Sequence, residues 1–372
     1  MRPQLGRLLK TAGLAAVALA VAGAAFLALF FARCGSGGQP RKPVSAEAQA
    51  RRSATADIAG YARPEVDTYL TYPEWYIVWS YQERADHLAA GQPSAFPYFG
   101  AIGQYWSGYC SMDRITRGRY PFNAGDHLML VVIGTSFTVE YAIRGAYEKT
   151  VGRLSEWLAR GQAVAEDRYA ARLAQEYAAF VHIRPWYEFS FARGLKGLWR
   201  ETALWGPHPL RSWERKGYLT ADYALQAAYA WLIEQASHAT YGIEDTRTYV
   251  WIEGASDAVF APDGRVRSAK ELENRAFIAS LPRYQEFTDV AVGLAAGGAH
   301  FVEIAGNDEI LLTAIVPRGW TSPAEGQVVF SASILSRPDR ARVALRCPVG
   351  ALRATLTSLE QSGVVIEHVY DY

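Results

Sequence analysis

The 372-residue chain has three cysteines, three methionines and almost no net charge, with 38 Lys and Arg against 37 Asp and Glu. Three cysteines exclude a disulfide-rich scaffold and a zinc site of four thiolates. A balance of +1 excludes a global nucleic-acid binder, which needs a basic excess. Nucleotide-binding signatures are missing: there is no Gly-x-Gly-x-x-Gly and no Walker loop. Gly134-Thr135-Ser136-Phe137-Thr138 lacks the second glycine of a nucleophile elbow. Cys110 has no cysteine-protease signature around it. No cofactor is implied.

What is present begins with an apolar run. Thr11 to Ala32 are 22 consecutive uncharged residues. As a helix rising about 1.5 Å per residue, they match a hydrocarbon core about 30 Å thick. The run is too long for a cleaved signal core, and Arg33 before Cys34 is unlike a lipoprotein site. An uncleaved signal-anchor is expected, with residues 1–10 as a basic tail and 33–60 as a linker. Arg2, Arg7 and Lys10 precede the span; Arg33, Arg41, Lys42, Arg51 and Arg52 follow it. The raw count favours a cytoplasmic C-terminus, but short basic tails stay inside, so the body is expected outside the cytoplasmic membrane of a bacterium.

The body divides by composition. Between Tyr61 and Trp251 lie 10 of 11 Trp and 19 of 22 Tyr. Residues 61–260 therefore read as an aromatic-rich, mainly helical domain, with a boundary near 252–280. Thr71-Tyr72-Pro73-Glu74 starts one helix, which Gly91 stops. Residues 166–183 form a second, and a third runs from about Thr220 to Ala239. Leu128–Ile143 is an apolar run whose default is a buried core helix or strand; the alternative is a re-entrant or membrane-embedded element, in which Glu140 would be a functional candidate. Arg144 to Trp157 continues in a helical pattern.

Residues 281–372 read as an α+β domain of order α-β-β-β-β-α-β. Hairpins are expected about 306–309 and 337–341, a helix over Ala351–Gln361 and a last strand over Val364–Tyr372. The fold class is α+β, with helices on one antiparallel sheet as in a ferredoxin-like or similar sandwich.

Candidate chemistry is thin. Glu140, Arg144 and Glu148 follow at i, i+4, i+8 and predict an ion-pair ladder. Glu74 among aromatics, Glu140 and Glu148 are the acid–base candidates for an enzyme acting on a lipidic substrate. Glu83 with His87, and Glu234 with His238, could each offer two metal ligands at i, i+4. Cys110 and Cys347 are a candidate disulfide. Arg193, Lys196, Trp199, Arg200, Trp205, Arg211, Trp213, Arg215 and Lys216 mix cations with Trp, the composition a membrane interface favours. The leading expectation is a non-enzymatic, single-pass anchored binding protein. Its partners would be the bilayer through 11–32, an anionic lipid surface and a protein.

Overall fold

The computed structural model describes Cys34 and residues 46–240, 246–254, 264–272, 276–322 and 326–372. The apolar segment 11–32 and the side chain of His238 lie outside the described residues. The fold mixes helices with two four-stranded antiparallel sheets, an α+β architecture.

Among the described residues, nine helices carry the first part: α1 Ala46–Ala54, α2 Asp67–Leu70, α3 Tyr72–Ala89, α4 Tyr98–Thr116, α5 Ala124–Tyr147, α6 Arg153–Leu158, α7 Ala165–Val181, α8 Phe191–Glu201 and α9 Pro209–Thr240. The start of α3 is as the sequence predicts, with Pro73 at its opening and Glu74 in its first turn. Gly91 ends the segment at a φ of +76°, a conformation L side chains resist. Asn123 caps α5 by accepting from the Gly125 N–H at 3.0 Å. A π turn, Glu148–Gly152, carries α5 into α6 without a break. Helix α9 begins eleven residues before the expected Thr220, because the cations in its first turns face inward.

The strands are β1 Arg247–Glu253, β2 Arg267–Glu271, β3 Ala276–Pro282, β4 His300–Ile304, β5 Glu309–Pro317, β6 Gln327–Ile334, β7 Arg337–Pro348 and β8 Val365–Val369. Helix α10 is Gln285–Ala296 and α11 is Leu352–Gln361. The sheets run β2-β3-β1-β4 and β6-β7-β5-β8. This corrects the single sheet of a ferredoxin-like sandwich. Three strands precede α10, and the expected hairpin about 306–309 is a crossing between sheets. There β4 pairs with β1, while β5 pairs with β7 and β8. The second hairpin, β6–β7, forms, but its turn is Leu335–Ser336 and the expected turn residues 337–341 lie within β7.

Strand β5 has no solvent face. Ile310, Leu312, Ala314 and Val316 join α10, α11 and the first sheet in one core. Leu311, with Ala344 and Tyr370, packs instead against Tyr72, Tyr76, Trp79, Tyr98 and Tyr141. The period-2 alternation of a strand thus serves two cores at once.

The candidate Cys110–Cys347 bridge is also corrected. Cys110 is bonded to Cys34, and Cys347 is a free, fully buried thiol whose pKa burial pushes up to about 12.

Candidate functional site

Helices α5, α6 and α9 lie side by side and antiparallel. Ser136 Oγ meets Tyr229 Oη at 2.7 Å, Arg144 meets Asp222 at 3.0 Å, and the Tyr147 and Tyr218 rings stack at 4.1 Å. Further on, Arg215 reaches Glu148 at 2.8 Å and Arg211 donates to the Gly152 carbonyl at 2.9 Å. Positions fall along one helix as they rise along the other.

The inner side of this pair holds a buried ion network with α7. Arg215 and Glu148 are both 0% exposed. Asp167 accepts from Arg211 at 3.0 Å, and its other partner, Arg215 Nε, is 3.0 Å away. Arg211 also reaches Glu214 at 3.1 Å, and Lys216 lies 3.5 Å from Glu166. Burial pulls the Arg215 pKa down, but Glu148, Asp167 and Glu214 outweigh it and raise it. Paired charges tolerate this desolvation, and a lone one would not. Arg211, Arg215 and Lys216 therefore do not present charge to a surface, which corrects their assignment to a membrane interface.

Part of the i, i+4 ladder is present. Glu140 pairs with Arg144 at 2.5 Å and accepts from Tyr81 at 2.8 Å. Glu148 pairs instead with Arg215 at 2.8 Å. Gly152 leaves room for it: a Cβ there would sit 2.5 Å from Glu148 Oε2. Glu140 on α5 and Glu148 in the π turn thus each carry an arginine partner. Glu74 is half-buried at the start of α3, where its charge raises the pKa of Tyr105, whose burial is the larger cause.

The metal candidates do not converge. Among the described residues no three His, Cys, Asp or Glu side chains come together as a metal group. Glu83 accepts from Arg342 at 3.1 Å, while His87 packs edge-on against Phe96. Glu234 is half-buried near the far end of α9.

The outer side of the helix pair is different in kind. Every exposed residue from Leu128 to Ala146 and from Ala221 to Leu232 is uncharged. On α5 these include Leu128, Val132, Val139 and Ile143; on α9, Leu225, Trp231 and Leu232. Ala124–Leu158 is also the one helix among the described residues long and apolar enough to cross a membrane, with less than half of its most apolar window buried. The expected core burial of Leu128–Ile143 is thus met on one side only. At the Leu158 end, Trp157 (72% exposed), Trp205 (73%) and Trp213 join Leu154 and Leu210 at the surface. Arg193, Lys196, Trp199 and Arg200 stand exposed on α8. Trp199 donates to Thr220 at 3.1 Å, and the Trp205 and Trp213 rings meet at 4.8 Å.

Sequence reasoning found the Trp-and-cation segment but missed Glu166 and Asp167, which hold its inward half. Their signal was weak: two acids in a helix's first turn ordinarily complement the dipole. It also missed the face built by two helices 80 residues apart in sequence. Comparison with known proteins finds no matching family model, no matching curated protein and no matching solved structure.

Proposed function

We propose that this chain is a non-enzymatic, membrane-anchored binding protein, held by residues 11–32 as a single span, with its body on the extracytoplasmic side of a bacterial cytoplasmic membrane. The observation that carries the reading is the Cys34–Cys110 bond, which begins directly after the apolar run and Arg33. Disulfides persist on the oxidising side of such a membrane. Exposed Trp199, Trp205 and Trp213, beside Arg193, Lys196 and Arg200, suit an anionic lipid surface or an acidic protein partner.

The alternative is an enzyme or carrier acting on a lipidic substrate through a buried carboxylate. Both carboxylates are engaged in structural ion pairs, Glu140 with Arg144 and Glu148 with Arg215, which favours the binding reading.

The test is protease protection of the full chain in sealed cells with the outer membrane opened, together with carbonate extraction. Digestion of the body with survival of the basic tail is the expected result. Digestion of the tail alone, or release of the chain by carbonate, overturns the reading.

A further inference from the structure

We infer that the uncharged outer face of α5 and α9 lies flat against the lipid of the same bilayer that residues 11–32 enter. The inference rests on the anchor reading above and adds the orientation of the body.

The warrant has three parts. First, the face is large and lacks charge. From Leu128 to Ala146 it runs about 27 Å along α5 at 1.5 Å per residue, and α9 doubles its width. Contiguous apolar surface of this extent marks a membrane or protein contact, not ordinary solvated surface.

Second, the chain's exit from the membrane is fixed beside it. Cys34 is bonded to Cys110 on α4, is 1% exposed and packs against Leu130 and Val131. Arg114 Nε donates to the Cys34 carbonyl at 3.1 Å. Leu128, Met129 and Val132 open the exposed face within two residues of those contacts. The apolar segment ends at Ala32, so only Arg33 separates it from this fixed point. A tether of one residue holds the start of the face at headgroup level.

Third, the far end of the face carries what an interfacial helix presents to headgroups. Trp205 and Trp213 meet there at 4.8 Å, Trp157 is exposed at the end of α6, and Arg193, Lys196 and Arg200 stand exposed on α8. Helices lying in the plane of a bilayer bury their apolar side and keep Trp and cations at its edge.

The experiment uses the full chain reconstituted in phosphatidylcholine–phosphatidylglycerol vesicles. Single reporters are placed by Val132→Cys, Val139→Cys and Leu225→Cys, each labelled with bimane. Glu360→Cys is the reference, exposed on α11 across the second sheet from the helices. Native Cys347 is buried and does not compete for label. Doxyl-lipid quenching at positions 132, 139 and 225 is expected to exceed that at 360 at least threefold, with iodide quenching in the reverse order. Iodide quenching as strong as at 360 overturns the inference. So does protection from both quenchers with crosslinking to a second copy or to a cysteine placed in residues 11–32, because protein then covers the face. Flotation of the same vesicles separates the two readings. A chain that floats with water-quenched reporters loses only its orientation, whereas one that fails to float loses its anchor.

Discussion

The guanidinium carbon of Arg342 on β7 sits 4.5 Å from the ring centroid of Trp79 on α3. The same side chain donates to Glu83 on α3 at 3.1 Å and to Glu367 on β8 at 2.6 Å. One buried cation therefore joins the aromatic helices to the second sheet. Arg342→Met should leave two carboxylates buried without a cation and cost about 3–5 kcal/mol. Urea unfolding in mild detergent measures it. A loss below about 1 kcal/mol would show that the contact is dispensable. Glu83→Gln should cost less, since Arg342 keeps Glu367.

Gly134 faces the Tyr105 ring so closely that a Cβ would lie 2.1 Å from its Cε1. Tyr105 in turn donates to the Leu130 carbonyl at 2.6 Å. Gly134→Ala should push the ring aside, break that bond and destabilise by about 1–3 kcal/mol, although alanine is the better helix former. A melting temperature equal to or above the parent's would contradict this packing.

His368 is buried against the Trp75 ring at 3.8 Å between centroids, and burial, with a smaller contribution from His182, lowers its pKa to about 3. The folded state keeps it neutral while the unfolded chain protonates near pH 6.5. Its stabilising contribution is thus whole above pH 6.5 and drains away as the pH falls towards 3, on the order of 5 kcal/mol in all. Asp67 and Asp371, both raised to about 6 by burial, act in the opposite sense. Their contribution is present below about pH 3.8 and lost as the pH rises through 6. His368→Gln should flatten the acid limb specifically. Parallel stability–pH curves for parent and variant would remove His368 from the account.

Thiol counting separates the three cysteines. Without reductant the folded chain should show no reactive thiol, and the denatured chain one, from Cys347. Reduction should raise the denatured count to three. Three thiols without reductant would mean that Cys34 and Cys110 are unbonded.

Much of the secondary structure was legible because local signals agreed. Pro73, Glu74 and Gly91 bracket α3, and the apolar spacing of residues 166–183 matches α7 within two residues. What escaped were decisions made at a distance. β1 to β3 went unread because each is short and derives its burial from partners elsewhere in the chain. The turn at 306–309 has hairpin chemistry, with Gly306 at a φ of +72°, yet it parts two sheets. Arg211, Arg215 and Lys216 look like solvated cations until Glu148, Glu166 and Asp167 are brought to them. The outer face of α5 stayed the lesser of two readings for the same reason: a run of Leu and Val reads as core whether or not a neighbour covers it.

Strand β5, enclosed on both sides, has a consequence for how the chain is made. Ribosomes deliver the aromatic helices first and the sheet that closes over them last. At about 5–20 residues per second, tens of seconds separate the emergence of Tyr98 from that of Tyr370. Throughout that interval the rings of Tyr72, Tyr76 and Trp79 have no lid of their own. The unfinished chain, with these rings uncovered until β5 to β8 arrive, is therefore its most aggregation-prone form. Chains stopped short of residue 370 should be cleared as unfinished goods, even with every helix already synthesised.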